Sequence, residues 1–491
     1  MPQLTSIVDT SNKVPRAFVR VALGAGPRSP GSSAMKILLI GSKTSTGTAA
    51  VTTKYQIAGP DDAKTYFGVG SELHLAAVAL FKANPFATVF ACALDDSSGG
   101  LAATKTLLYT SGPATADGTI TLDIMGVRVV VGVTSGQTVT QIGDAVVAAL
   151  NGRTDCPVTG VNTAGSVALS SRNKGVRFNT ITTRSLLTGA TGVAHTPITG
   201  VMAGGTDTGA NATTILDSLA AERFHFIVNP YTDSTNLLKF KTYATAQMQP
   251  LVGKRARWFA CLPGTIAADT TISDAVNDPL GEVIQFENPD DLPLMIAASA
   301  AGAVAAVRSS DRAYNTDGLT LPGIKVQFAQ ADVMTDAELN VCLNNGLTPL
   351  LSRDGSVFVV REVTNYHNDA GGNDDFSILD THYVDVAFFV ADSIEQNFPS
   401  TFAGFKLAPD PTTGDAGPPA PKVATPSSIK GWAFSIAKAQ ENKLLVNLET
   451  TTKAGLVCEL DVAAAGRANL EMPIDCIELF HQLAAQVSQV G

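Results

Sequence analysis

Short apolar runs alternate with amphipathic stretches in two regions of the chain. MKILLIG (35–41) is an apolar run ending in glycine, which predicts a strand buried on both faces. SELHLAAVALFKAN (71–84) has helical periodicity, and TVFACAL (88–94) reads as a second buried strand. Strand, helix and strand in that order predict a βαβ unit and a parallel sheet. The alternation returns beyond residue 204. Helices are predicted at 212–222, 234–249, 292–308 and 335–346, and strands at 224–230, 256–262 and 282–287. LTPLLSRDGSVFVVREV (347–363) predicts a hairpin turning at Asp354-Gly355, and 380–396 is mostly helix.

The stretch between these regions has a different texture, rich in Thr, Ser, Gly and Val. TITLDI (119–124) and VRVVVGV (127–133) predict a hairpin about Met125-Gly126. A helix is expected over 138–152, with a Thr start and a Gly152 stop. SVALSS (166–171) and NTITTRS (179–185) add strands. Residues 102–203 therefore read as a β-rich domain inserted into an α/β domain formed by 35–101 and 204–407. Residues 1–34, with Pro2, Pro15, Pro27 and Pro30, read as an extended arm with a short strand over 17–23. APDPTTGDAGPPAPKVATP (408–426) is a linker or long loop. It opens a small C-terminal α+β domain (408–491), with a helix near 427–440, strands near 443–450 and 455–462, and a terminal apolar stretch.

Composition narrows the function. The chain has 491 residues, enough for about three domains, with 45% hydrophobic and only 16% charged residues. That balance excludes an extended disordered protein. The formal net charge of -10 argues against a general nucleic-acid coat. So few charges suggest that much nominal surface is covered by other subunits. Cys92, Cys156, Cys261, Cys342, Cys458 and Cys476 form no CxxC pair, so buried free thiols are expected. The beginning of the chain has no apolar secretory core. The longest apolar run, 292–307, is too short for a membrane span and reads as a buried helix.

The chemistry-bearing motifs are weak. There is no G-x-S-x-G elbow and no HExxH. His225 within FHFIVN reads as a packed strand histidine; a triad from His225 with Ser299 or Ser309 is the hydrolase alternative. GSKTSTG (41–47) has its lysine inside the loop rather than after it, so it fails the phosphate-loop pattern. The acidic pairs Asp61-Asp62, Asp95-Asp96, Asp290-Asp291 and Asp374-Asp375 read as solvated turns. NDAGGNDD (368–375) lacks the calcium-loop register. KRAR (254–257) reads as a solvated or interface edge. No catalytic residue, cofactor or metal is assigned.

One stretch is distinctive. LPGIKVQF (321–328) is followed by a long element over 339–394, which holds Asn345-Gly346, a hairpin, Arg361–Tyr366, Asp375 and Leu379-Asp380. In this order these residues resemble the tail sheath proteins of contractile bacteriophages, particularly the Mu-like branch. Asn365 departs from the family's usual second threonine. GPDDAKTYFGVGSELHLAAVALFKANP (59–85), GPATADGTITLDIMGVRVVVGVTSGQT (112–138), SSRNKGVRFNTI (170–181) and FKLAPD (405–410) agree with the same family, so the resemblance spans nearly the whole chain.

The resemblance implies a subtilisin-like α/β sheath core that carries no subtilisin activity, an outward-facing β-rich insertion, and a C-terminal domain nearer the tube. It implies a structural subunit, not an enzyme. Such subunits stack as hexameric rings in a helical sheath around a tail tube, between baseplate and tail terminator proteins. Contraction drives the tube through the host envelope. No direct nucleic-acid contact and no membrane insertion are implied. The place of work is the virion tail, after assembly in the host cytoplasm. Extended N- and C-terminal arms add strands to neighbours' sheets. Val19, Val21 and Leu23 are the expected N-terminal strand. Leu444, Leu445 and Val446, with Val457–Leu460, are the expected acceptor sheet. A helix-like end around Ile477, Leu479, Phe480 and Leu483 is expected to face the tube or a neighbour. Another phage tail structural protein is the remaining alternative.

Overall fold

The computed structural model describes residues 19, 35–94, 99–207, 212–219, 221–329, 332–411 and 421–486. The chain begins with β1 (Lys36–Ser42), β2 (Lys54–Ile57), α1 (Pro60–Phe67), α2 (Glu72–Ala83) and β3 (Thr88–Leu94). Next come β4 (Ala102–Thr110), β5 (Gly118–Ile124), β6 (Val127–Val133), α3 (Val139–Asn151), β7 (Val158–Thr163) and β8 (Ser166–Lys174). After a 3-10 turn at Val176–Thr180 follow β9 (Thr183–Gly189) and β10 (Ala194–Thr196). The α/β alternation resumes with α4 (Ala212–Leu219), β11 (Phe226–Val228), α5 (Ser234–Gln247), β12 (Arg257–Leu262), α6 (Ile266–Val276), β13 (Gly281–Gln285) and α7 (Pro293–Arg308). It ends with α8 (Asp336–Asn344), β14 (Leu347–Arg353), β15 (Ser356–Val359) and α9 (His382–Thr401). The last segment holds β16 (Lys406–Leu407), β17 (Val423–Ala424), α10 (Pro426–Lys438), α11 (Lys453–Gly455), β18 (Val457–Leu460) and β19 (Ala468–Glu471).

The fold is mixed α/β. Eight strands form one sheet in the order β15-β14-β13-β12-β11-β1-β3-β2. The six from β14 to β3 run parallel, with β15 and β2 antiparallel at the edges. Successive strand residues face opposite ways and feed two cores. Ile37 and Leu39 pack with Leu73 and Leu80 of α2 and with Ile296 and Val304 of α7. Leu38 and Ile40 pack with Ile215 of α4, Phe240 of α5, Cys342 of α8 and Phe388 of α9. The Ala-rich run expected as a buried helix is α7, almost wholly buried. Its small residues let α2 approach closely: a Cβ on Gly302 would meet the Leu80 carbonyl at 3.1 Å. No described helix is long and apolar enough to cross a membrane.

Among the described residues, the strands of 102–196 pair only with one another, as a four-stranded sheet β10-β4-β8-β7 and a three-stranded sheet β6-β5-β9. Both close over α3, whose Ile142, Val146 and Leu150 join Leu107, Leu122 and Leu169 in a third core. Thr138 and Gln141 form the capping box that starts α3. Met125 and Gly126 take φ of 49° and 68°, as the two-residue hairpin turn requires. All six cysteines are buried and free.

Three expectations fail locally. The strand expected over 179–185 begins only at Thr183, because Asn179 bonds the Gly205 backbone in both directions (2.8 and 3.0 Å) and holds the preceding residues in a turn. The strand expected over 443–450 does not form. Left-handed Asn442 and Asn447 bracket it, and a π-helical turn follows at Leu448–Thr452. The end of the chain forms no helix through residue 486, only a bridge at Cys476.

Asp269 on α6 is buried, and burial pushes its carboxyl up to about 7; a backbone N–H of Gly264 opposes the rise and the Glu287 charge adds to it. A folded-state value above the unfolded one means that ionising Asp269 costs stability. The cost grows as pH rises from about 4 to about 7. Neighbouring Gln285 has a buried Oε1 without a hydrogen-bond partner among the described residues. Asp269→Asn is therefore expected to stabilise the monomer at pH 8 by roughly 2–4 kcal/mol and to do little at pH 4. Urea unfolding at the two pH values checks this, and an equal effect at both would refute it.

Candidate assembly interface

The body offers each terminus a distinct seat. On α9, Asp385, Asp392 and Glu395 lie seven and three residues apart, hence on one face. Arginines at the amino ends of the central strands β11 and β12 and at the end of α7 meet them. Arg257 gives Nη1 to Asp385 (2.8 Å) and Nη2 to Glu282 and Glu362 (2.7 and 2.8 Å). Arg308, at the end of α7, donates to Asp385 (2.7 Å), Thr381 (2.8 Å) and Glu362 (2.8 Å). Arg255 holds Asp392 (3.0 Å) and Glu395 (2.6 Å), and Arg223 also reaches Asp392 (2.7 Å). KRAR is therefore no solvated edge: Arg255 and Arg257 are wholly buried among carboxylates.

Five buried groups, Arg257, Arg308, Glu282, Glu362 and Asp385, would carry a net charge of -1 if all were ionised. Burial and the Glu362 charge push Glu282 well up. Burial also opposes ionisation of Glu362, but Arg308 and Arg257 outweigh it and hold that group low. One proton on Glu282 makes the cluster neutral, the state a dry interior favours.

The N-terminal seat adjoins this cluster. Arg255 Nη2 donates to the Val19 carbonyl (3.0 Å), and Val19 is half-buried. Val21 and Leu23 lie outside the described residues. Beside this contact, Met35, His225, Arg312, Phe388 and Phe389 line a shallow cleft. His225 Nδ1 accepts the Lys36 backbone N–H (3.0 Å), and burial, reinforced by Arg223, Arg312 and Lys36, pushes its imidazole down to about 3. It is a packed neutral histidine. Ser299 is buried within α7, Ser309 Oγ donates to the Ala306 carbonyl (3.0 Å), and no hydrogen bond among the described residues joins either serine to His225.

The C-terminal seat is made of Leu444, the start of α9 and the loop at 313–317. Leu444 and Leu445 are buried in two different clusters, Leu444 with Ala313, Val386 and Cys476, Leu445 with Ala437 and Leu448. Leu445 bridges Cys476, and half-buried Val446 donates its N–H to the Asp475 carbonyl (3.1 Å). Val457–Leu460 forms β18, which pairs with β19 and not with 444–446, so no joint sheet forms from the two expected pieces. Ile477 and Leu479 pack inward while Phe480 and Leu483 are exposed. Tyr383 OH donates to Glu478 (2.7 Å), Asn315 Nδ2 donates to the Phe480 carbonyl (3.2 Å), and His481 lies 2.6 Å from Asp317 and 3.5 Å from Asp380.

The signature residues act within the body. Gly346 ends α8 with φ of 64°. Arg361 binds Asp380 through two parallel bonds (2.8 and 2.9 Å), and Tyr366 OH donates to Asp375 (2.6 Å). Asn365, the departure from the family pattern, is buried and donates to Ser273 Oγ (2.5 Å) and the Gly346 carbonyl (3.2 Å). Asp290 and Asp291, expected in a solvated turn, are buried. Asp290 accepts from Thr182 and Arg184 of the insertion, and Asp291 pairs with Lys325. Lys43 Nζ donates to the Gly47 carbonyl of its own loop (3.1 Å), and Asp369 accepts from Gly371 and Asn373 within NDAGGNDD (2.8 and 2.9 Å). Among the described residues no group of three or more His, Cys, Asp or Glu is placed to hold a metal ion.

No family model matches the chain. Among solved structures, a sheath tail protein of Listeria innocua aligns with 14% identity over 92% of this chain and 94% of its own, at a TM-score of 0.48. The helical sheath of the anti-feeding prophage in its contracted state aligns with 10% identity over 97% and 99%, at 0.47. In sequence, the Mu-like prophage FluMu tail sheath protein of Haemophilus influenzae is 26% identical over 435 residues, covering 87% of both chains. The chain is thus similar, over nearly its whole length, to a Mu-like prophage tail sheath protein, as its own motifs lead one to expect.

Proposed function

We propose that this protein is the structural subunit of a contractile tail sheath and not an enzyme. The single observation that supports the reading best is the sequence likeness to the Haemophilus sheath protein, which runs through 87% of both chains rather than through one domain. In this reading the subunits form hexameric rings that stack helically around a tail tube, between baseplate and terminator. Rearrangement of the rings drives the tube through the host envelope, with the energy stored in subunit interfaces and no nucleotide consumed. A contact that does not close on itself generates such a helical array. The eight-stranded sheet with its helices is the core over 35–101 and 204–407, with the subtilisin likeness one of fold alone. The unit at 102–203 faces outward, and 408–491 faces the tube. The interface residues of this reading are Val19, Val21 and Leu23 at one end. At the other end they are Leu444, Leu445, Val446, Val457, Leu460, Ile477 and Phe480.

Negative-stain electron microscopy of the full-length purified protein tests the reading. Striated tubes or stacked rings are expected. Monodisperse monomers at every concentration and salt, together with covalent labelling by a serine-hydrolase probe, would overturn it in favour of a hydrolase.

A further inference from the structure

Open parallel sheets place ligands at the carboxyl ends of the strands, at the point where strand order reverses. Taken by chain position, the six parallel strands here run second, first, third, fourth, fifth, sixth across the sheet, so the reversal lies between β1 and β11. Their carboxyl ends are Ser42 and Val228, followed by Asn229 and Tyr231. In this crevice stands the side chain of Arg177, from the turn that joins β8 to β9 in the β-rich unit.

The crevice treats that side chain as a binding site treats a ligand. Arg177 Nε donates to Glu72 Oε1 (2.7 Å), and Nη2 donates to Glu72 Oε2 (3.0 Å) and Ser42 Oγ (2.7 Å). This is the bidentate fork that guanidinium and carboxylate share. Glu72 is fixed in turn by the Ser42 backbone N–H (2.8 Å). The Glu72 backbone N–H meets Asn173 Oδ1 (3.1 Å), and Asn173 Nδ2 donates to the Lys43 carbonyl (2.8 Å). Asp207 lies 4.0 Å from Nη1. Arg177, Glu72 and Ser42 are all buried. The hydroxyl of Tyr231 is buried without a hydrogen-bond partner among the described residues, close enough to feel the charges of Arg177 and Glu72.

We propose that the crevice between β1 and β11 is a guanidinium-binding socket whose ligand is Arg177 of the same chain, and that this socket docks the β-rich insertion onto the sheet. The position where other doubly wound sheets hold a substrate or nucleotide is spent here on an internal joint. A vacated socket retains a carboxylate fork, a serine hydroxyl and the Tyr231 hydroxyl, and so takes a free guanidinium cation.

The test is thermal unfolding of full-length Arg177→Ala in guanidinium chloride up to about 20 mM, with sodium chloride as the matched control. Removing one partner of a buried pair is expected to lower the midpoint by at least about 5 °C. Millimolar guanidinium is expected to restore half or more of that loss in Arg177→Ala, to leave the parent protein unmoved, and to do nothing for Arg177→Ala combined with Glu72→Gln. Equal recovery in sodium chloride, or an unchanged midpoint in Arg177→Ala, would overturn the proposal. Should Arg177→Ala not fold, Arg177→Lys keeps the charge and loses the fork. Hydrogen exchange should then be at least about tenfold faster at Val176–Thr180, with Ile37–Ile40 still protected, and unchanged exchange at Val176–Thr180 would overturn the proposal equally. Neither readout depends on polymerisation, so a failed socket and a failed sheath assignment give different results.

Discussion

Arg257→Met is expected to destabilise the subunit by about 3–5 kcal/mol, enough to drive most of it into aggregates on expression. The guanidinium of Arg257 is buried and bonds three carboxylates from three elements: Glu282 on β13, Asp385 on α9 and Glu362 just beyond β15. Methionine fills much of the volume but leaves Glu282 without its arginine partner and Glu362 and Asp385 sharing Arg308. With Glu282 already protonated, one more of them must then take up a proton or draw in water, and either choice costs several kcal/mol in a dry interior. Urea unfolding, or the soluble fraction where no folded protein accumulates, measures the loss. A change below about 1 kcal/mol would show that the Arg257 contacts contribute little to holding α9 in place.

Glu282→Gln makes the contrasting case. It mimics the protonated carboxyl that a neutral cluster requires, keeps an acceptor for Arg257, and is expected to lie within about 1 kcal/mol of the parent at pH 7. A loss as large as that of Arg257→Met would mean that Glu282 is ionised in the fold. The pair of variants therefore separates the geometry of the cluster from its net charge.

This cluster is also where the sequence is least legible. The parallel strands, α2, α7 and the Met125-Gly126 hairpin announce themselves because apolar spacing and turn chemistry are local signals. Arg255 and Arg257 carry the opposite signal: two cations within KRAR imply water, and the partners that reverse that reading lie 25 to 140 residues away. Asp290 and Asp291 mislead in the same way. Arg177 gives no sign at all, since its burial follows from a strand order that only the fold determines. At the C-terminus the error has another origin. Leu444, Leu445 and Val446 have the composition of a strand, yet the asparagines at 442 and 447 take left-handed conformations and cut it to two isolated bridges at Leu445. At the end of the chain Ile477 and Leu479 pack inward and alternate with exposed Glu478 and Phe480, a period of two that the apolar Phe480 hides in the sequence.

Deleting residues 1–23 is expected to abolish tubes and stacked rings in negative stain while leaving the body folded. Val19 is the only described residue of the arm, and without it Arg255 keeps Asp392 and both oxygens of Glu395, so the thermal midpoint is expected within about 2 °C of the parent. Assembly in the proposed sheath does need it, because a strand added to a neighbour's sheet supplies several main-chain hydrogen bonds at about 1 kcal/mol each. That sum repeats at every subunit of every ring, so losing it at each joint removes most of the driving force for long arrays. Truncated protein that still forms tubes of the parent's length would place the connecting contacts on the folded body. Truncated protein that loses both tubes and thermal stability would mean that the arm belongs to its own subunit's core, with Arg255 as its anchor, rather than to a neighbour.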